Sequence, residues 1–148
     1  MSDTLNRELN ISRLINAPRE LVWEAFTNPG HIKNWWGPNG FTNTIFKMEF
    51  KKDGEWEFIM HGPDGTDYKN KNIFKEIIKP EKIVFEHISA PKHITTILFI
   101  EEEKRTLLKW HMLFQSAEQL EQVIRTFKAD EGLKQNINRL EDYLKNIK

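Results

Sequence analysis

His87 has the sequence setting best suited to chemistry. It lies in KIVFEHI (82–88), where Ile83, Phe85 and His87 share one side of an alternating run and Val84, Glu86 and Ile88 the other. An inward imidazole, with an unperturbed pKa of ~6.5, could donate to a ligand carbonyl or act as a general acid or base. The competing role is a core histidine bonded to a neighbouring backbone or side chain. Five histidines raise the question of a metal. His61 has the opposite parity to Trp56, Phe58 and Met60, and His111 shares a face with Lys109. His31 falls in a short helix, and His93 in a loop or at a strand start. No pair has the i, i+4 spacing of a helical zinc site, and there is no cysteine, so no metal or cofactor is expected.

Other reaction types fail on the same test. Gly-x-Ser-x-Gly is absent, and Ser89 and Ser116 stand at the ends of expected elements. HGPDG (61–65) reads as a hairpin loop and not a phosphate loop. Glu55 and Glu57 lie on the polar side of a strand, and EEEKR (101–105) reads as a solvated hairpin tip.

The inward positions are aromatic. Trp56, Phe58, Met60, Phe85, His87, Trp110, Met112 and Phe114 share the apolar parity, with Leu133 and Ile137 facing them from a helix; Phe74 joins if its strand has the matching register. Such a set can line an apolar cleft with few polar groups, or fill a core to crystal-like density. HIKNWWGPNGF (31–41) adds two indoles before a stiff turn. Trp35, three residues after Ile32, is expected to close one end of the core. Trp36 must leave in another direction, to cover a cavity mouth or sit half exposed; the alternative is that both rings are core.

Alternation must hold these residues on one sheet. RELNISRLI (7–15) reads as a first strand. Pro18 then opens a helix carrying Val22, Ala25 and Phe26, Asn28-Pro29-Gly30 stops it, and residues 29–35 form a second short helix. From Phe41 to Phe114 the period is two, with turns at Lys52-Asp53-Gly54, residues 61–67, Lys79-Pro80-Glu81 and Glu102 to Arg105. Ser116 is the expected N-cap of the final helical region, with Gln119 as its capping-box partner. The stripe Leu120, Val123, Ile124, Phe127 and the stripe Leu133, Ile137, Leu140, Leu144, Ile147 do not align at ~100° per residue, so a break is expected between Ala129 and Gly132. The order is strand, two short helices, six antiparallel strands and a long C-terminal helix. It defines an α+β domain whose curved sheet covers that helix.

The totals agree. A chain of 148 residues fits one domain, 1–148, able to bury roughly 70% of its unfolded surface. Lys and Arg balance Asp and Glu at 22 each, so nucleic acid is not an expected partner. The start MSDTLNRELN has no apolar signal core, and no run reaches the ~20 residues of a membrane span, so a cytoplasmic location is expected.

Ala17-Pro18 with Val22-Trp23 and Phe26-Thr27, then Trp35-Trp36-Gly37-Pro38, Gly54-Glu55-Trp56, IIKPEKIVF (77–85), and Gly132 with Leu140 and Tyr143-Leu144 carry a resemblance over almost the whole chain. It resembles the helix-grip superfamily of START-like and birch-pollen-allergen-like domains, in the branch named after the activator of the ninety-kilodalton heat-shock chaperone ATPase. The resemblance implies a seven-stranded sheet gripping a C-terminal helix, often around an apolar cavity. One departure is Leu133, where the family often has an aromatic after the helix glycine. Three functions are implied. The first is binding of a small hydrophobic or aromatic ligand, such as a lipid, polyketide or flavonoid, by the inward residues above together with Trp36. The second is a co-chaperone-like interaction with a chaperone, self-association being a further partner option. The third is a cyclase or aromatase activity centred on His87.

Overall fold

A computed structural model describes residues 7–147. Strand β1 (Glu8–Ile15) leads into α1 (Arg19–Thr27) and α2 (Pro29–Ile32). Six strands follow: β2 (Thr42–Met48), β3 (Glu55–His61), β4 (Asp67–Ile78), β5 (Lys82–His87), β6 (His93–Glu102) and β7 (Arg105–Phe114). Helices α3 (Ala117–Phe127) and α4 (Ala129–Ile147) end the chain. The strands form one antiparallel sheet in the order β1-β7-β6-β5-β4-β3-β2, so β1 and β2 are its edges.

Local chemistry sets the element ends. Pro18 precedes the first turn of α1, whose Val22, Trp23, Ala25 and Phe26 are buried. The Asn28 side chain accepts the Gly30 N–H at 2.8 Å and caps α2. That helix stops at Ile32, short of the expected Trp35, and the chain continues in turns held by the Trp35 and Trp36 N–H groups on the Ile32 carbonyl. The Ser116 hydroxyl accepts the Gln119 N–H at 3.0 Å, as an N-cap should. The Gln119 side chain, expected to return to Ser116, instead accepts the Gln115 N–H at 2.8 Å.

The helical break falls at Lys128, just before the expected window. Lys128 takes the left-handed conformation (φ 52°, ψ 49°) and its N–H returns to the Ile124 carbonyl, which ends α3 and lets α4 start in a new direction. Leu120 and Val123 of α3 then pack on Phe114 as a separate small cluster. Phe127, expected in the same stripe, is 57% exposed. The longer α4 lays Leu133, Ile137, Leu140 and Leu144 against the sheet and α1 side, where they join Val22, Phe26, Trp35, Phe99 and Leu108 in the main core. Burial of each such side chain contributes roughly 1.5–3 kcal/mol.

Two register shifts bend the sheet, between Ile45 and Lys47 in β2 and between Phe74 and Glu76 in β4. The second moves the inward side of β4 from Asn72 and Phe74 to Ile77, opposite Ile83; Phe74 itself pairs with Phe85 and is 1% exposed.

Candidate ligand cavity

Trp36 begins the wall. Its indole stacks on Trp110 (centroids 5.3 Å apart, planes at 21°) and meets Trp56 edge-on at 5.0 Å. Trp35 touches it from behind at 5.6 Å and sends its own Nε1–H to the Ala25 carbonyl at 3.1 Å. Trp35 is 0% exposed and Trp36 9%. The half-exposed position considered for Trp36 is therefore corrected: the ring is packed among Trp35, Trp56 and Trp110 and also borders a cavity.

The turn after Trp36 is fastened from α4. The Arg139 guanidinium donates to the carbonyls of Pro38 (2.8 Å), Gly37 (2.9 Å) and Phe41 (2.9 Å), with longer contacts to those of Trp36 and Asn34. A planar fork with several donors suits converging carbonyls in a way a lysine cannot. Asn43 adds a bond from Nδ2 to the Trp36 carbonyl at 2.8 Å. Gly37 has φ 99°, a conformation that favours glycine, and a Cβ there would also stand 2.7 Å from the Met60 methyl, which would have to move aside.

Between this wall, the sheet and the start of α4 lies an inner chamber of about 220 Å³. Phe58, Met60, Phe85, His87, Trp110 and Met112 border it from the sheet, Trp36 from the turn and Leu133 from α4. A wider outer chamber of about 690 Å³ continues from it past Pro38, Met60, Asn70, His87, Phe127 and Gly132, which border both. Asp67, Lys69, Lys128 and Glu131 stand around the outer chamber.

Four residues expected at a ligand site lie elsewhere. Trp56 and Phe74 stack on each other behind the wall, with planes at 2°. Ile137, 0% exposed, is sealed into the core, and Phe114 is covered by α3. The inward parity of Trp56, Phe74 and Phe114 holds, but Trp36 packs on Trp56, Phe50 on Phe74 and α3 on Phe114, while Ile137 of α4 is buried in the main core.

Polar groups gather at one end of the inner chamber. His87 Nδ1 lies 2.7 Å from Asn72 Oδ1, its register partner on β4. His93 is paired with His87 across β5 and β6, and the two rings stack at 4.7 Å. His93 Nδ1 lies 3.0 Å from the Pro91 carbonyl. Both partner atoms are acceptors, so both Nδ1 atoms carry the proton and both Nε2 atoms are lone-pair acceptors. Burial pulls the His87 imidazole down to about 3, with the neighbouring His93 adding to the effect. Burial pulls His93 down to about 4, against the opposing pull of its bond to Pro91. Both rings are therefore neutral at pH 7.

Thr95 and Asn136 complete this end, and the Asn136 Oδ1 and Trp110 Nε1 atoms are buried with no hydrogen-bond partner among the described residues. Asn72, His93, Thr95 and Asn136 were not among the expected site residues. Parity could have found three of them. His93 and Thr95 alternate with Ile97 and Phe99, and Asn72 with Phe74. Asn136 is three residues after Leu133 and four before Leu140, on the buried side of α4.

The remaining histidines serve the surface. His61 pairs with Asp67 at 2.7 Å and His111 with Glu8 at 2.6 Å on the outer face, while His31 bonds the Tyr143 hydroxyl at 2.5 Å. Among the described residues no three His, Asp or Glu side chains gather where a metal could be held, and no helix is long and apolar enough to cross a membrane.

A curved seven-stranded antiparallel sheet closed over a C-terminal helix, with a cavity between the two, defines a helix-grip protein. This chain belongs to the family of Activator of Hsp90 ATPase homolog 1-like proteins, whose pattern matches residues 16–145. Its fold is shared by a protein from Arthrobacter aurescens (24% identity, TM-score 0.89, covering 99% of this chain and 90% of that one). A protein from Nitrosomonas europaea is similar over the full length of both chains (18% identity, TM-score 0.88). The AHSA1 protein from Silicibacter pomeroyi is similar over 95% of this chain and 99% of its own (16% identity, TM-score 0.77). No curated protein matches the sequence.

Proposed function

We propose that this domain binds a small hydrophobic or aromatic molecule between its sheet and α4. The observation that carries the reading is the inner chamber itself, lined by the rings of Trp36, Phe58, Phe85 and Trp110 together with a small polar set that includes Asn72, His87, His93, Thr95 and Asn136. This is the usual composition of a small-molecule site, where apolar burial supplies affinity and a few polar atoms fix orientation. At roughly 25 cal/mol per Å² of apolar surface removed from water, a bicyclic ligand would gain several kcal/mol before the cost of association.

A catalytic role for His87 is less well supported. An imidazole held neutral down to about 3 is a poor proton donor at pH 7. The co-chaperone reading rests on the family's description alone.

A thermal-shift screen of lipids, flavonoids and simple aromatics, followed by tryptophan fluorescence titration, tests the proposal. A ligand at 100 times its Kd should stabilise the fold by about 2.7 kcal/mol. The expected result is a saturable shift with quenching of the indoles at the chamber. No shift from any apolar class would contradict the reading.

A further inference from the structure

The polar end of the chamber is rich in acceptors. The chamber wall also carries a buried donor with no partner among the described residues, the Trp110 Nε1–H, which a ligand hydroxyl oxygen can accept while its hydrogen is donated elsewhere. Nδ1 of His87 is committed to Asn72 Oδ1 and Nδ1 of His93 to the Pro91 carbonyl, so each ring offers its Nε2 lone pair. Among the described residues no group donates to either Nε2. Asn136 adds a third acceptor, its buried Oδ1, which also lacks a partner. Of these acceptors the Asn136 Oδ1 is buried with no partner among the described residues, which is costly until a donor reaches it.

Charge is one-sided. The charged side chains of the cavity, Asp67, Lys69, Lys128 and Glu131, border the outer chamber and not the inner one. A carboxylate pushed to the inner end would face lone pairs with no cation beside it. An ammonium would lose its water with no carboxylate to replace it. Both burials cost far more than a hydrogen bond returns.

We infer that the inner chamber selects an uncharged aromatic molecule bearing a hydroxyl, which donates its hydrogen to the Nε2 acceptors of the His87–His93 pair. The inference rests on the proposed binding role and names the ligand class. It separates a phenol or alcohol from a fatty acid, an aryl carboxylate or a plain hydrocarbon.

Three probes of one shape decide it by isothermal titration of the full chain: 2-naphthol, 2-methoxynaphthalene and 2-naphthoate. The expected order places 2-naphthol about tenfold tighter than its methyl ether, the worth of one buried hydrogen bond, with 2-naphthoate weakest. His87→Leu and, separately, His93→Leu should narrow the gap between the naphthol and the ether. Equal affinity for 2-naphthol and 2-methoxynaphthalene, or tightest binding of 2-naphthoate, would overturn the inference while leaving apolar binding intact. No binding of any probe would overturn both.

Discussion

The indoles of Trp36 and Trp110 stack 5.3 Å apart, so that one residue of a turn and one of a central strand form a single wall. The wall separates a filled aromatic core, with Trp56 and Phe74 on its far side, from the chamber in front. Trp36→Ala would remove contacts to Trp35, Trp56 and Trp110 together and merge the two spaces. The expected loss is about 3–5 kcal/mol in urea unfolding. A loss under about 1 kcal/mol would mean that the ring is not part of the wall.

Arg139 should matter as much, through backbone alone. Its short bonds go to the carbonyls of Gly37, Pro38 and Phe41, and the Phe41 N–H itself returns to Pro38. Arg139→Met is expected to cost about 3 kcal/mol and to speed hydrogen exchange at the Phe41 amide. Arg139→Lys should restore little, because one ammonium cannot reach the same carbonyls in the geometry of a fork. Full rescue by lysine would refute the clamp.

Acid should weaken the fold through the histidine pair. Both folded-state values, about 3 for His87 and about 4 for His93, lie below the ~6.5 of an unfolded chain. Above pH 6.5 both states hold the rings neutral and the contribution is complete. As pH falls below 6.5 the unfolded chain takes up protons that the native chain refuses, so stability drops until the folded values are reached. Between pH 7 and pH 5 the loss should be on the order of 2–4 kcal/mol in urea unfolding, and replacing both rings with Gln should flatten it. Long-range ¹⁵N spectra should show Nδ1–H tautomers for both rings and no titration above pH 5. A ring that titrates between pH 6 and 7 would contradict the burial argument.

Gly132 is a position where the chain can gain stability. It lies inside α4, and a Cβ there would meet Pro38 at 3.5 Å, an ordinary contact. Gly132→Ala should stabilise the fold by about 0.5–1 kcal/mol, seen as a raised Tm. A lowered Tm would show that the Pro38 side of the passage between the two chambers has no room for a methyl group.

The sequence made the layers legible because period-two alternation is strong from Trp56 to Met60 and from Leu108 to Phe114, and because Ser116 announces a helix. It could not show where the core ends and the cavity begins. Trp56 and Phe58 have the same parity, yet only Phe58 borders the chamber; Trp56 is covered by Trp36, whose position depends on a turn fixed by Arg139 about a hundred residues later in the chain. The bulge at Phe74 to Glu76 carries no residue signal either. Lys128 is a residue type with no preference for the left-handed cap it adopts, so the helix break was found only from misaligned stripes. His93 and Thr95 were readable by parity but lay beside a segment that reads as loop, and Asn136 was hidden by its polarity on a face read from apolar residues.

Above all, the chamber between sheet and α4 is proposed to take an apolar ligand. The most direct test of this is a proton NMR titration of the full chain with 2-naphthol, following the Met60 and Met112 methyl groups and the Trp36 and Trp110 indoles. Saturable shifts are expected at these four residues, with intermolecular Overhauser contacts from the ligand ring to both methyls. Saturable binding that leaves them unmoved and shifts Phe46 or Ile100 on the exposed surface instead would contradict the proposal.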